Sequence, residues 1–325
     1  MVSYQDVLRA REVVGGQVRK TPMFSATTLG AMAATPVSLF LKAEMFQKTG
    51  SFKPRGVLYR LSTLTDEEKR RGLIAASAGN HGQSLAWGAS SLGIASTIVM
   101  PEFASKSKIA AAQGYGATVI LHGKTSLEAH RQARALAEEQ HLTLVHPYTD
   151  ERVIAGHGTL GLDIVDDLPD ADVVVVQIGG GALCGGSALA IKSRSPKMRV
   201  VGVEPAGAAR LTAALAAGHP VTLENVQTRI DGLGAGYTGD VNLALFQQYV
   251  DAVVTIEDDA VDRAIALLAE RCKLVVEPAG AATVAAVLAG KVPVKSGEKV
   301  VAVLSGGNID PVRLAGILTQ AKERS

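Results

Sequence analysis

The sequence is poor in aromatic residues and in cysteine, and both shortages exclude classes of protein. Aromatic side chains make up 4% of the 325 residues, too few for the stacking surfaces on which proteins bind bases or sugars. The two cysteines, Cys184 and Cys272, lie far apart in the chain, which excludes a disulfide scaffold and a four-thiolate zinc site. The histidines form no pair at the spacing of a helical zinc site. We expect His130 and His141 on solvent-exposed faces.

The chain also lacks an excess of charge of one sign and a long apolar run. Lys and Arg number 33 and Asp and Glu number 31, a formal net charge of +2, which predicts no binding of nucleic acid or of an anionic membrane. No apolar run reaches the ~18 residues needed to span a bilayer. Residues 1–11 have no apolar core of the kind that a secretion signal requires. We therefore expect a soluble, cytoplasmic protein.

Short β-branched runs alternate with longer amphipathic stretches along almost the whole chain. The run Val173–Gln177 begins with four valines and lacks polar alternation, as is typical of a parallel strand covered on both faces. This alternation predicts an α/β fold with parallel sheets and right-handed crossovers. The predicted strands are Val37–Leu41, Leu73–Ala76, Ser96–Met100, Thr118–Leu121, Leu142–Val145, Val173–Gln177, Arg199–Val203, Ala252–Thr255 and Val300–Leu304. The predicted helices include Ser126–Gln140, Ala260–Arg271 and Ala279–Ala289.

Glycine is abundant, with 34 residues of 325, and one cluster directly follows the valine strand. Residues 179–186 contain five glycines, which allow backbone amides to turn inward, and a helix that begins there would complete a phosphate site. Glu204 lies at the position of a ribose-binding carboxylate. However, Cys184 occupies the last glycine position of the Gly-x-Gly-x-x-Gly pattern. A dinucleotide-dependent dehydrogenase is therefore the alternative from a different class of enzyme.

Three more polar segments that contain glycine favour a different site. Residues 48–56 surround Lys53, residues 77–83 follow one predicted strand, and residues 305–308 follow another. Ligands of parallel α/β sheets bind beyond the carboxyl ends of the strands, so these segments predict one shared cleft. A lysine held there among small residues is suited to a Schiff base, because desolvation lowers its pKa and frees the amine.

Together these segments resemble the fold-type II pyridoxal phosphate enzymes, specifically the serine/threonine dehydratase and serine racemase family. The family's motifs occur in its order over nearly the whole chain. They are Ser-Phe-Lys-x-Arg-Gly at 51–56, Ala-Gly-Asn-His-Gly at 78–82, the glycine loop at 179–186, Val-Glu-Pro-x-Gly at 276–280 and Ser-Gly-Gly-Asn at 305–308. The resemblance implies two open, twisted, mainly parallel sheets flanked by helices, as in the tryptophan synthase β fold.

The resemblance also implies the domain organisation. Residues 1–70 and 150–325 would form a large cofactor-binding domain, and residues 71–149 a smaller domain, with pyridoxal 5'-phosphate between them. We expect no C-terminal regulatory domain of the biosynthetic threonine dehydratase type, because the chain ends soon after the segment at 305–308. A homodimer or higher homo-oligomer is implied by the resemblance alone.

The family's roles are carried over position by position. Lys53 would form the internal aldimine and then move the Cα proton, with Phe52 beside the cofactor ring. Asn80 would hydrogen-bond the ring's 3-oxygen, Ser305 would face the pyridine nitrogen, and Glu277 would lie near the cofactor. Backbone amides of the glycine loop would bind the phosphate: Gly179, Gly180, Gly181, Ala182 and Leu183. The loop at a helix N-terminus would bind the substrate carboxylate: Ser77, Ala78, Gly79, Asn80 and His81.

The activity implied is the dehydration and deamination of a small L-β-hydroxy amino acid. L-Threonine would give 2-oxobutanoate and ammonia, and L-serine would give pyruvate. A neutral serine at the ring nitrogen makes the cofactor a weaker electron sink, which favours quick β-elimination. A β-replacement enzyme of the cysteine synthase type, a serine racemase and a 3-hydroxyaspartate dehydratase remain alternatives, because no residue visibly reads the β-substituent. Tyr148 is a candidate to shape that pocket.

Three departures from the family pattern qualify these expectations. Ala182 stands where the phosphate loop usually has a fourth glycine. Arg210 replaces the aspartate of the divalent-cation site found in racemase-like members, although Glu204 and Ala208 match the other two ligand positions. We therefore expect no metal, with a salt bridge between Arg210 and Glu204 in place of the ion. Ala78 replaces the serine that serves the second face of Cα in racemases, which predicts little racemisation.

Overall fold

The computed structural model describes residues 1–323, which form an α/β fold with two sheets flanked by helices. The strands are β1 (Met23–Ser25), β2 (Ser38–Ala43), β3 (Leu73–Ala76), β4 (Ser96–Met100), β5 (Thr118–Leu121), β6 (Thr143–Leu144), β7 (Val173–Gln177), β8 (Arg199–Pro205), β9 (Ala252–Ile256) and β10 (Lys299–Leu304). Over the described range, no helix is both long and apolar enough to cross a membrane.

Helices alternate with these strands along the chain, as the sequence pattern predicts. They are α1 (Tyr4–Val14), α2 (Thr27–Met32), α3 (Pro54–Ser62), α4 (Asp66–Arg71), α5 (Asn80–Ser91), α6 (Lys106–Gly114), α7 (Ser126–Glu139), α8 (Glu151–Asp167), α9 (Ala182–Arg194), α10 (Arg210–Ala217), α11 (Asp240–Tyr249), α12 (Asp258–Leu267), α13 (Pro278–Leu288) and α14 (Pro311–Glu323). Short 3₁₀ turns lie at Glu44–Phe46, Lys48–Gly50, Ala206–Ala208 and Asp231–Leu233, and a π-turn at Leu268–Cys272.

The larger sheet has six strands in the order β1-β2-β10-β7-β8-β9. All pairings are parallel except that of β1 with β2. Strand β7 is buried along its whole length, and β10 is buried from its second residue onward. This burial explains the unbroken valine runs, because a central parallel strand is covered by helices on both faces.

The smaller sheet has four parallel strands in the order β5-β4-β3-β6. It is built from residues 73–144, which lie in the chain between β2 and β7 of the larger sheet. Loops after β3, β7 and β10 meet at one cleft between the two sheets. This convergence is expected, since the carboxyl ends of parallel strands lie at the same edge of a sheet.

The predicted strands are all present, with small differences at their ends. Strand β1 was not predicted from the sequence, because it is only three residues long and pairs antiparallel with β2 at the sheet edge. The predicted helix at 260–271 is observed as α12 followed by the π-turn, which ends at Lys273 in a left-handed conformation. The α/β class with mainly parallel sheets is therefore confirmed, and the division into domains stays a prediction.

A buried ion cluster holds the beginning of α3 in place. Arg55 is 1% exposed and donates two hydrogen bonds of 2.8 Å to the carboxylate of Glu44. A third contact of 2.7 Å joins Arg55 to Asp163 of α8. Such a cluster is costly to break, because a buried charge without its partner stays uncompensated. The cluster therefore anchors α3 to the segment after β2 and to α8, and Lys53 is the residue just before α3.

Candidate active site

The cleft between the two sheets has a volume of about 530 Å³ and brings every predicted site residue together. The residues at the strand ends and in the first turns of the following helices form its walls. The predicted residues that line it are Phe52, Lys53, Ser77, Ala78, Gly79, Asn80, His81, Gly179, Gly180, Gly181, Ala182, Leu183, Glu277 and Ser305.

Lys53 lies at the N-cap of α3, and its amine points into the cleft. Nζ donates a hydrogen bond of 3.3 Å to the carbonyl oxygen of Pro147 and lies 4.9 Å from the ring centroid of Phe52. Burial lowers the pKa of Lys53 to about 8, against an opposing effect of Glu277, which favours the charged amine. A substantial fraction of the amine is therefore neutral near physiological pH, as a nucleophilic lysine requires.

Asn80 joins Glu277 and Asn308 in a chain of hydrogen bonds across the cleft. Nδ2 of Asn80 donates to Oε1 of Glu277 at 2.7 Å, and Oδ1 of Asn80 accepts from Nδ2 of Asn308 at 2.8 Å. Burial raises the pKa of Glu277 to about 7, while the bond from Asn80 opposes that shift. Asn308 belongs to the motif at 305–308 but was not predicted as a site residue.

The glycine loop after β7 leaves its backbone amides free for a ligand. Within the described part of the chain, the N–H groups of Gly179, Gly180 and Gly181 have no protein acceptor. Gly181 has a φ of 101°, a conformation that favours glycine. A Cβ at Gly180 would lie 2.0 Å from the ring of Tyr148, so only glycine is tolerated there. Ala182 is accommodated because it is buried in an apolar cluster that contains Tyr148.

Three helices begin at the walls of the cleft, and their N-termini favour negative charge. They are α5 at Asn80, α9 at Ala182 and α13 at Pro278. Unpaired amides and the helix dipole at such ends stabilise anions. The N-cap of α13 is itself the acidic Glu277, which leaves two separate places for an anionic group, the loop before α5 and the glycine loop before α9. These are the positions predicted for the substrate carboxylate and for the phosphate.

Two histidines near Lys53 are neutral. Burial lowers the pKa of His81 to about 3, and the nearby charge of Lys53 adds to this effect. Nε2 of His81 donates to the carbonyl oxygen of Val145 at 2.9 Å. Burial also lowers the pKa of His146 to about 3. Their low pKa values make both histidines weaker bases than Lys53.

The cleft also contains residues that the sequence analysis missed or placed wrongly. Residues 232–235 line it, and the glycines at 232, 234 and 236 are the feature of the sequence from which this segment could have been predicted. His130 was expected on a solvent-exposed face, which is wrong: it is half-buried and lines the cleft, 5.6 Å from the ring of His146. Its partner in that expectation, His141, is exposed.

The expected salt bridge between Arg210 and Glu204 is absent from the described residues. The Glu204 carboxylate instead accepts hydrogen bonds from the amides of Leu211 and Thr212 at the beginning of α10. The first N–H groups of a helix have no acceptor within the helix and are free to bind this carboxylate. The Arg210 guanidinium is buried and donates to three carbonyl oxygens. These belong to Ala208 at 2.9 Å, Ile178 at 3.1 Å and Leu233 at 3.2 Å. Among residues 1–323, no three His, Cys, Asp or Glu side chains are grouped as a metal site requires.

Comparison with known proteins identifies the family. Residues 14–306 match the family model described as "Pyridoxal-phosphate dependent enzyme". An L-threonine ammonia-lyase of Thermotoga maritima is 41% identical over 325 residues, which cover 100% of this chain and 80% of the relative. Maize serine racemase superposes with a TM-score of 0.91 at 32% identity, covering 99% of this chain and 98% of the other. A threonine deaminase of Solanum lycopersicum superposes with a TM-score of 0.89 at 34% identity, covering 98% of this chain and 92% of the other.

The chain therefore belongs to the pyridoxal phosphate-dependent enzymes of fold type II. The cleft suits this cofactor on three observations. It contains a buried amine of lowered pKa, a loop of amides without protein acceptors, and a glycine whose Cβ would collide with an aromatic ring. Lys53 would hold the aldehyde carbon, the loop from Gly179 to Leu183 would bind the phosphate, and Ser305, the residue after β10, would face the ring nitrogen.

We predict that pyridoxal phosphate attaches to Lys53. Borohydride reduction of the holoenzyme followed by peptide mapping should find the cofactor on this lysine. Because only the neutral amine reacts, the rate of attachment to the apoprotein should rise with pH and be half-maximal near pH 8. Glu277→Gln removes the charge that raises the pKa of Lys53, so the midpoint should move to lower pH.

Lys53→Arg is the control for this prediction and should bind no cofactor covalently. A label on a different lysine would contradict the assignment. A midpoint close to 10.5, the ordinary value for lysine, would contradict the effect of burial. Tight binding of NAD without a visible cofactor band would instead support the dehydrogenase alternative.

We also predict that activity needs no divalent metal ion. The Arg210 guanidinium already supplies a positive charge to three carbonyl oxygens, and an arginine stays protonated in proteins. EDTA should leave the reaction rate and the melting temperature nearly unchanged. In Arg210→Asp, these oxygens and the new carboxylate should bind Mg²⁺ or Ca²⁺, so the ion should raise the melting temperature of the variant alone. A wild-type activity that is lost in EDTA and restored by magnesium would refute this.

Proposed function

We propose that this chain is a threonine ammonia-lyase, which converts L-threonine to 2-oxobutanoate and ammonia. The observation that carries the proposal is the position of Lys53, whose amine of lowered pKa lies in one cleft with two separate anion sites. An amino acid bound through its carboxylate at one site has its Cα near the lysine, while the cofactor phosphate occupies the other. The identity of 41% with an L-threonine ammonia-lyase over the full chain supports the same reaction.

In this proposal, some residues of the cleft bind the substrate and another transfers the proton. The loop from Ser77 to His81 binds the substrate carboxylate, and Oγ of Ser77 stabilises this loop by accepting from the amide of Gly79 at 3.1 Å. Nζ of Lys53 is the base for the Cα proton, since part of the amine is neutral near pH 8. Ser305 would present a neutral hydroxyl to the ring nitrogen, and a neutral partner would not force a proton onto that nitrogen.

When bound, pyridoxal phosphate withdraws electrons from Cα, so that the α-proton and then the β-hydroxyl group can leave. The hydroxyl would depart as water with the proton that Nζ of Lys53 removed from Cα, and a second water would be consumed when the nitrogen is released. The net products are therefore a 2-oxo acid and ammonia. L-Serine has the same reacting atoms and would give pyruvate.

The proposal extends to the assembly and location of the enzyme. A homodimer or higher homo-oligomer in the cytoplasm is supported by the resemblance to the family. The mixed charges of the chain, 33 basic against 31 acidic side chains, agree with a small-molecule substrate rather than a polyanionic partner.

A panel of hydroxy amino acids tests the reaction. The purified holoenzyme is incubated with L-threonine, L-serine and L-3-hydroxyaspartate, with and without sulfide, and the 2-oxo acid is measured. We expect 2-oxobutanoate from L-threonine, pyruvate from L-serine at a lower rate, and no effect of sulfide. Formation of cysteine at the expense of pyruvate would instead identify a β-replacement enzyme.

We predict elimination without racemisation. Racemisation needs an acid on the second face of Cα, because a proton returned from the face of Lys53 restores the original configuration. Ala78 stands at the family's second-face position and has no proton to give. Chiral chromatography after incubation with L-serine should therefore find pyruvate with little or no D-serine.

Ala78→Ser is the matched variant, since it adds a single hydroxyl at this position, and it should raise the formation of D-serine. The control is Ala104→Ser, which adds the same hydroxyl elsewhere on the cleft wall and should leave the D-serine rate at the wild-type level. D-Serine formed by the wild type as fast as pyruvate would overturn the prediction and point to Ser77 as the acid.

A further inference from the structure

Asn242 lies behind the glycine loop and connects it to a distant part of the chain. It is fully buried in the first turn of α11, and its Nδ2 donates to two carbonyl oxygens. One belongs to Gly180 and the other to Tyr148, each at 2.9 Å. The orientation of the amide follows from these contacts, because a flipped side chain would place its oxygen against both carbonyl oxygens.

The bond to Gly180 determines which way the next amide points. In a trans peptide the C=O and N–H groups of one unit point in opposite directions. The carbonyl of Gly180 is held by Asn242 and, at 3.3 Å, by Oγ1 of Thr238. The N–H of Gly181 therefore points away from Asn242. Gly181 lines the cleft and Asn242 does not, so this amide points toward the place of the phosphate.

The bond to Tyr148 connects the same side chain to the wall beside Lys53. Tyr148 follows Pro147, whose carbonyl oxygen accepts from Nζ of Lys53. The ring of Tyr148 lies directly against Gly180. One side-chain amide thus fixes the glycine loop relative to the residues that surround the lysine amine.

We propose that Asn242 is a positioning residue that aims the amide of Gly181 at the cofactor phosphate and sets the spacing between the phosphate loop and Lys53. The proposal rests on the proposed cofactor site. Both effects act on a ligand that is held through its phosphate, so Asn242 should influence the binding of pyridoxal phosphate far more than the binding of pyridoxal, which has no phosphate.

The test compares the dissociation constants of pyridoxal phosphate and pyridoxal for the apoprotein, measured by absorbance titration. In Asn242→Ala the constant for pyridoxal phosphate should rise about tenfold, which is about 1.4 kcal/mol, because the buried carbonyl of Gly180 loses its donor. The constant for pyridoxal should change less than about twofold. Asn242→Asp has nearly the same shape but places a carboxylate against two carbonyl oxygens, so its effect should be at least as large.

Ser187→Ala is the matched control. Ser187 is a fully buried polar residue on α9, the helix that follows the glycine loop, and its hydroxyl has no hydrogen-bond partner within residues 1–323. This variant should keep both wild-type constants. The melting temperature of each apoprotein shows whether a variant is folded, and the comparison of the two ligands remains valid for any variant that is.

An equal loss of affinity for both ligands in Asn242→Ala would overturn the proposal, because it would indicate a general structural role. Unchanged affinity for pyridoxal phosphate would overturn it as well. The proposed function fails separately, through the absence of 2-oxo acid from an enzyme that binds its cofactor. The proposed phosphate site fails if the wild type itself does not prefer pyridoxal phosphate to pyridoxal.

Discussion

The burial of one amine, Nζ of Lys53, is the constraint on which the site depends. A buried ammonium group loses its hydration, so its pKa falls unless a carboxylate contacts it directly. Here the contact is a carbonyl oxygen, and Glu277 acts only at a distance. The backbone must hold the amine in this place against its tendency to reach water. Arg55, two residues further on, holds the beginning of α3 in place through its buried ion pairs with Glu44, after β2, and with Asp163 of α8.

Much of the fold and of the site follows from local sequence patterns. The central strands were predictable because burial on both faces favours apolar residues, as in the four valines that begin Val173–Gln177. The glycine loops were predictable because glycine lets the backbone adopt conformations in which several successive amides face a ligand. What was missed depends on distant contacts. Strand β1 exists through its pairing with β2, and nothing near Asn242 in the sequence indicates that it reaches Gly180 and Tyr148.

Arg210 shows a different limit of sequence reasoning. Opposite charges at matching positions suggested an ion pair, but Glu204 is taken by the amides of Leu211 and Thr212 at the beginning of α10. The N-terminus of a helix offers a carboxylate several N–H donors at once, and that of α10 lies within hydrogen-bond distance of Glu204. Arg210 is then left with carbonyl oxygens, one of which, that of Ile178, lies just before the glycine loop. The partners of Glu204 and Arg210 therefore depend on the position of the first turn of α10, which the sequence does not show.

The order of strands in the larger sheet has a consequence for synthesis of the protein. Strand β2 pairs on one side with the short β1 and on the other with β10, the last strand of the described chain. During translation β2 emerges early, yet its parallel partner leaves the ribosome only when nearly all other strands have been made. Pairings between such distant segments form slowly. The nascent chain therefore carries an open hydrogen-bonding edge on β2 for most of its synthesis, and such edges invite aggregation.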